Sequence, residues 1–456
     1  MTEAVAAHPP ESRRVLAGYF TLAGLYTLSA ALIWGVNTLF LLDAGLSFFE
    51  VFVANAAFSA GMVVFEIPTG VVADTLGRRV SFLLSVSVLA ATTLLYIALA
   101  QLEAGVVAFA LVSVGMGLGF TFYSGAMEAW LVDALAVTGY RGILDRVFAR
   151  GQQITGAAML VGAVGGGLLG QIDLAIPYLV RAALLAVVFV VAFVVMHDLG
   201  FTPRRVSAAE LPGEIVRNGK AGVEFGWGQR PLRLLMLASL VQVGFLTWGF
   251  YASQPYLLAL LDSDAVWIAG LVAAGVALST IAGNQVVTIA SRSCGRRTTL
   301  LLAAAALQTC AAVALGVASS FWVALPAFLL VTASVGVTSP VRQAYLHQVV
   351  RTEQRATVVS FDSMVSNVGG VGGQVGLGAL GEARSVGAAF VAGGVATAAA
   401  LPLLAKLRRL GGTADIVVGK QAGAESACAA SGLPAVSAVE TIVIDEPDLA
   451  AVAVRA

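Results

Sequence analysis

Apolar runs of about twenty or more residues, separated by short charged or glycine-bearing breaks, recur from Leu16 to Ala405. A hydrocarbon core of ~30 Å needs ~20 apolar helical residues per crossing, so each run reads as one transmembrane helix. The limits are 16–42, 48–71, 80–101, 105–130, 150–170, 175–197, 232–260, 266–290, 298–317, 321–346, 356–380 and 384–405. The largest interruption, 199–231, holds Pro203, Arg204, Arg205, Glu210, Glu214, Arg217 and Lys220, and divides the crossings six and six. The expected parts are a segment 1–15, a six-helix bundle 16–198, a linker 199–231, a second bundle 232–408 and a tail 409–456. The tail is Ala/Gly-rich, with late acids Asp445, Glu446 and Asp448, and reads as disordered. Ser12-Arg13-Arg14-Val15-Leu16 resembles the start of a twin-arginine export signal. The apolar run after it is too long for an h-region of ~7–15 residues, so it reads as the first crossing. The expected fold class is an all-α membrane protein.

Composition narrows the function classes. The chain is 59% apolar and 11% charged, with mean hydropathy +0.90, against about a quarter charged residues in soluble proteins. A water-soluble multidomain enzyme is excluded. Basic and acidic residues balance at 26 each, which gives no nucleic acid a reason to bind. Cys294, Cys310 and Cys428 have neither disulfide nor metal spacing, and nothing calls for a cofactor. H-E-x-x-H, paired intramembrane aspartates, a G-x-S-x-G elbow and a Walker loop are all absent from the sequence, which leaves an enzyme or an ATP-driven pump without its machinery.

Charge placement sets orientation. Arg13, Arg14, Arg78, Arg79, Arg141, Arg146, Arg150, the 199–231 loop, Arg292, Arg296, Arg297, Arg351, Arg355 and Lys406 share one side. The other side carries Asp43, Glu50, Glu103, Asp173, Asp262, Asp264 and Glu382, with Arg181 and Arg384 as its only bases. By the positive-inside rule both termini and the central loop are cytoplasmic, in a multi-pass protein of the cell (inner) membrane.

The halves repeat. Ala73-Asp74-Thr75-Leu76-Gly77-Arg78-Arg79 matches Ser291-Arg292-Ser293-Cys294-Gly295-Arg296-Arg297. Trp34-Gly35 recurs as Trp248-Gly249, and Gly162, Gly165, Gly167, Gly170 recur as Gly373, Gly376, Gly378, Gly381. Such order and offset indicate a duplicated six-helix unit. The stretch Gly70-Val71-Val72-Ala73-Asp74-Thr75-Leu76-Gly77-Arg78-Arg79 meets every fixed position of G-x-x-x-D-x-x-G-R-[RK]. In this the chain resembles the major facilitator superfamily, over residues ~16–405. Glu66 to Gly70 and Ser124 to Ala129 resemble a bacterial drug-exporter branch. The resemblance implies two bundles rocking about a central cavity. Two features depart from that branch: Val106 to Met127 contains no arginine, and the span-five antiporter pattern G-P-x-x-G-G reads Gly162-Ala163-Val164-Gly165-Gly166-Gly167, without its proline.

Several residues are candidates for function. Gly70, Asp74, Gly77, Arg78 and Arg79 read as a cytoplasmic latch, with the arginines anchoring acids at the end of span four, notably Asp133. The alternative is a topology determinant with a turn glycine. Glu66 lies within an apolar span, where a charge costs at least ~2.5 kcal/mol. It shares a helical stripe with Asn55, Ser59 and Met62, and Glu128 shares one with Ser113, Gly117, Thr121 and Ser124. Glu66, Glu128 and Asp362, the last with Arg342 as partner, are the candidate proton carriers; an inner-gate ion-pair network is the other reading. By these limits the midplane holds no acid and no base. Its polar residues include Tyr26, Asn37, Asn55, Ser59, Gln242, Trp248, Tyr251, Gln254, Ser279, Thr280 and Asn367, with Trp248 to Gln254 the expected cavity segment. Arg181 and Arg384 are expected to snorkel to the outer headgroups. Together these readings imply a monomeric secondary transporter for an apolar or amphipathic small molecule, coupled to protons and directed outward. Uptake by symport or uniport is the alternative, and a non-transporting membrane sensor is the rival from another class.

Overall fold

A computed structural model of the chain describes residues 9–201, 211–351 and 354–417; the expected tail, with Cys428, lies mostly outside them. The first crossing is α1 (Pro10–Trp34) plus α2 (Asn37–Asp43), and the second and third are α3 (Phe48–Leu76) and α4 (Arg78–Gln101). α5 (Val106–Tyr123) and α6 (Ala126–Val137) share the fourth, broken at Gly125 with φ +76°. α7 (Leu144–Gly170) and α8 (Ile176–Val195) complete the first bundle. α9 (Leu211–Gly222) and a π-helical turn, Val223–Trp227, lead to the second. That bundle is α10 (Arg230–Leu261), α11 (Val266–Ser293), α12 (Arg297–Val317), α13 (Phe321–Val349) and α14 (Arg355–Ala383). α15 (Val386–Thr397) and α16 (Ala400–Leu410) form its last crossing.

Among the described residues eleven crossings are long and apolar by composition, and α14 completes twelve. α14 carries Asp362, Asn367, Gln374, Glu382 and seven glycines. It packs against α10, α3 and α15 in the middle of the molecule, where lipid contact does not demand apolar side chains. Large apolar residues such as Val107, Leu111, Val190 and Trp322 instead stand exposed on the perimeter, the surface a bilayer covers.

The first bundle has one apolar core, including Leu22, Phe82, Leu131 and Leu185. The second has two, one around Trp248, Phe328 and Phe390 and one around Leu235, Tyr345 and Leu404. A polar layer lies between them. Gln242 Nε2 donates to Gln308 Oε1 at 3.1 Å, Ser239 and Ser366 hydroxyls meet at 2.8 Å, and Arg342 pairs with Asp362.

The bundles meet along α3·α14 and α7·α11. The duplicated glycines explain how. Gly162 faces Leu28 and Ala31 of α1, and Gly373 faces Gly244 of α10, each the first helix of its own bundle. One or two turns further on, Gly167 faces Gly270 of α11, and Gly378 and Gly381 face Phe52 and Phe48 of α3, each in the other bundle. A Cβ at Gly167 would sit 2.8 Å from the Gly270 Cα, so both backbones need glycine to approach this closely.

Each crossing reverses direction, so Pro10 and Leu410 mark one end of the molecule (the terminal end) and the loops at 43–48 and 262–266 the other (the distal end). The hydrogen bonds joining the bundles cluster in the distal half. The break at Gly35–Val36 leaves the Trp34 carbonyl and the Thr38 N–H without helical partners. Both are met by Gln254 of α10: Nε2 donates to Trp34 O at 2.7 Å, and Oε1 accepts from Thr38 N at 2.9 Å. Thr38 Oγ1 donates to Tyr251 O at 2.9 Å, and the Phe49 N–H donates to Glu382 Oε2 at 2.6 Å. At the terminal end a cavity of about 380 Å³ lies between α3 and α14, with α9 touching both helices.

Gln254→Ala strands two buried backbone groups at the closed end, each costing ~1–3 kcal/mol. The expected result is a shift toward conformations open distally. Electron–electron distances between spin labels at Glu103 and Asp264, both exposed there, should lengthen in the variant; an unchanged distribution would remove Gln254 as the clamp.

Candidate functional site

The centre of the molecule encloses a cavity of about 260 Å³. The first bundle supplies Tyr26, Trp34, Asn37, Asn55, Ser59, Tyr96, Phe120 and Arg181, and the second supplies Tyr251, Asn367 and Gln374. The α1–α2 break turns Asn37 inward, where Nδ2 donates to Asn55 Oδ1 at 3.0 Å and Oδ1 accepts from the Tyr178 hydroxyl at 2.9 Å. Gln374 Nε2 reaches across the seam to Ser59 Oγ at 3.0 Å. Asn55 Nδ2 and Gln374 Oε1 are buried with no hydrogen-bond partner. Tyr26 stacks face to face on Tyr123 at 3.8 Å and forms one wall.

Arg181 corrects the expectation of a snorkelling residue and of a midplane without charge. It is 6% exposed and lines the cavity. The buried stripe of α8 runs through Tyr178, Arg181, Leu185, Val188 and Ala192, which carries the guanidinium inward with the core. Its Nε donates to Thr93 Oγ1 at 3.1 Å. No aspartate or glutamate lines the cavity among the described residues. The helical spacing from Tyr178 is the sequence signal for an inward-facing Arg181, and its nearness to the outer end of the run is the signal against it.

The other expected cavity residues divide. Asn37, Asn55, Ser59, Tyr251 and Asn367 line the cavity. Trp248 does not: it is fully buried between Phe52 and Phe390, with ring centroids at 5.8 and 4.7 Å. Gln254 is engaged in the distal closure, and Gln242 in the polar layer of the second bundle.

Glu66, Gly70, Asp74, Arg78 and Ser124 line the terminal-end cavity with Thr357, Ser360, Phe361 and Met364 of α14. Asp74 and Arg78 form an ion pair at 2.7 Å within the signature itself. Glu128 is exposed on the first turn of α6, and Asp362 is buried against Arg342 as expected. The anchoring of the arginines on Asp133 is not found. Arg79 donates its backbone N–H to Asp198 Oδ1 at 2.9 Å and its guanidinium to Phe193 O at 2.6 Å, and it lies over the Phe193 ring at 4.8 Å. Asp198 follows α8 and packs against Gly77, whose φ of +108° and missing Cβ admit the carboxylate.

The second bundle repeats this device. Asp415 follows α16 and is buried; Oδ1 accepts from Thr298 N at 2.8 Å and Oδ2 from the Thr298 hydroxyl at 2.9 Å. Arg297 donates to the carbonyls of Ala414 at 2.7 Å and Ile416 at 2.8 Å. In each bundle, an acid just past the sixth helix caps the start of the third, where backbone N–H groups lack partners.

No protein-family profile matches the sequence, and no curated protein matches it. Solved structures do. The nucleoside transporter NupG aligns with TM-score 0.71 at 12% identity, over 86% of this chain and 98% of that one. The POT family transporter PepTSo aligns with TM-score 0.66 at 15% identity, over 87% and 98%. The human organic anion transporter MFSD10 (TETRAN) aligns with TM-score 0.60 at 16% identity, over 87% and 100%. The chain has the major facilitator fold. It is a multi-pass membrane protein whose two six-helix bundles match those of transporters along nearly their whole lengths.

Asp198→Ala and Asp415→Ala each remove the acceptor at a helix start and should cost about 1–2 kcal/mol of stability. Unfolding of the purified variants followed by tryptophan fluorescence measures this. Wild-type midpoints in both would show that the two acids cap nothing of consequence.

Proposed function

We propose that the chain is a secondary transporter that works by alternating access and exports an amphipathic small molecule from the cell. The observation that carries the reading is the central cavity at the seam of two bundles, closed distally by inter-bundle hydrogen bonds while a second cavity lies between α3 and α14 at the other end. Two such bundles can exchange closed ends by rocking about a fixed site. The basic residues of the terminal end support a cytoplasmic side for it, and on that reading this conformation is inward-facing. The bundles 16–198 and 232–408 are the moving parts, and each contributes side chains to the cavity, so one chain holds a full site.

The gate is assigned to Gly70, Asp74, Gly77, Arg78 and Arg79. In the conformation described, Asp74 is engaged with Arg78, and closure of the terminal end would bring that turn against α14, whose Thr357 and Ser360 already face it across the cavity. Protons are assigned as the coupling ion. Among the three candidate carboxylates, Glu66 combines position in the terminal cavity with the absence of a cationic partner among the described residues, whereas Asp362 is paired with Arg342. Glu66 is therefore the carrier this reading favours.

Proteoliposomes with an imposed pH gradient test the whole reading. Glu66→Gln should abolish gradient-driven accumulation and retain exchange. Retained accumulation in Glu66→Gln, Glu128→Gln and Asp362→Asn would leave uniport or another coupling ion. Orientation is tested separately by single cysteines in intact cells. Labelling from outside should succeed at Ser263 and fail at Ser207 and Ser426, two positions outside the described residues.

A further inference from the structure

We infer that the central cavity selects organic anions, carboxylates above all, and that Arg181 is the residue that binds the negative group. The inference rests on the transporter reading above and names the substrate class of the same site. Three observations carry it. Arg181 is buried in the wall of the cavity, and its one hydrogen bond among the described residues, from Nε to Thr93, leaves the two terminal nitrogens without an acceptor there. The titratable groups around it are the phenols of Tyr26, Tyr178 and Tyr251, and no acid lines the cavity among the described residues. The remaining lining is largely aromatic and aliphatic, with amide groups at Asn55 and Gln374 that each hold one unused polar atom.

A permanently charged guanidinium held away from water and without a counter-ion is costly, and a structural arginine in a bundle core ordinarily has a carboxylate beside it. The second bundle has such a pair, Arg342 with Asp362. Among the described residues the first bundle has none at Arg181, which lines a cavity instead. A carboxylate entering that space accepts two parallel N–H bonds from the planar fork, while an aromatic or aliphatic body lies against Tyr26, Tyr251 and Phe120. A cation is repelled, and a neutral isostere lacks the charge-assisted bonds.

The test uses purified full-length protein in detergent, titrated calorimetrically with 1-naphthoate, 1-naphthamide and 1-naphthylmethylammonium. Naphthoate should bind wild type about tenfold or more tighter than naphthamide, with the ammonium weakest. Arg181→Gln should erase the preference for acid over amide, and Arg181→Lys should keep part of it. Equal affinities, no binding of any probe to wild type, or an intact preference in Arg181→Gln each overturn the inference. If Arg181→Gln yields no folded protein, the order of the three probes on wild type decides: naphthoate, amide, ammonium supports the inference and any other order overturns it. Proteoliposome flux separates the two readings. Transport of neutral cargo with no acid preference sinks the anion site alone, whereas naphthoate bound but no compound carried sinks the transporter reading alone.

Discussion

A backbone that stops being helical inside a membrane must find partners for its exposed N–H and C=O groups within the protein. The rest of the architecture follows from how this chain meets that demand in its first crossing. The break at Gly35–Val36 frees one carbonyl and one N–H, and a single amide side chain from the opposite bundle takes both. Closure of the distal end and repair of the break are thus one interaction. The break also turns Asn37 into the central cavity, so the same irregularity that calls for Gln254 shapes the site. Trp34-Gly35 and Trp248-Gly249 look alike in sequence, yet only the first interrupts its helix: α10 runs unbroken through Trp248, which the second core buries.

Duplication explains the remaining geometry. In both copies the fifth helix uses its early glycines to touch the first helix of its own bundle and its late glycines to touch the other bundle. Exchanging the copies exchanges the contacts, which is what a two-fold relation between the bundles requires. The acids past each sixth helix follow the same rule, Asp198 to the start of α4 and Asp415 to the start of α12. The signature at 70–79 is thereby held on both sides. Asp74 pairs forward to Arg78, and Arg79 is fixed to the end of α8, so the turn is tied to the first bundle on both sides.

The crossings were legible in the sequence because burial in lipid imposes a length and an apolar character that no neighbour can relax. The fold was legible from the ten residues Gly70 to Arg79 taken together with the twelve runs, their six-and-six division and the repeat between the halves. Pairing across helices was not. Asp198 lies in a loop whose sequence shows only a lone acid after a histidine, and its partner is a backbone N–H, which has no sequence signature. Trp248 fails for a related reason: a tryptophan on a central helix can face cavity or core, and Phe52, from the other bundle, decides which. The Arg342–Asp362 pair was legible because both residues stand alone in apolar runs, where each is costly without the other.

The two bundles are not electrostatically equivalent, and the asymmetry bears on how the molecule moves. The charged pair of the second bundle is satisfied internally and sits in a polar layer between two cores. Arg181 of the first bundle has no carboxylate partner among the described residues, and it lines the cavity. A ligand can shift a conformational equilibrium only by the difference in its interactions with the two states. Arg181 belongs to the first bundle, and Tyr251, Asn367 and Gln374 belong to the second, so a bound molecule that touches both groups gains most when the bundles are drawn together around it. Of the two seams, α7·α11 sets glycine against glycine at Gly167 and Gly270, whereas α3·α14 seats Phe52 and Phe48 against Gly378 and Gly381. In the transporter proposed above, site and seam are matched: the charge would supply the differential interaction, and the glycine contact at Gly167 and Gly270 would keep the resistance to it low.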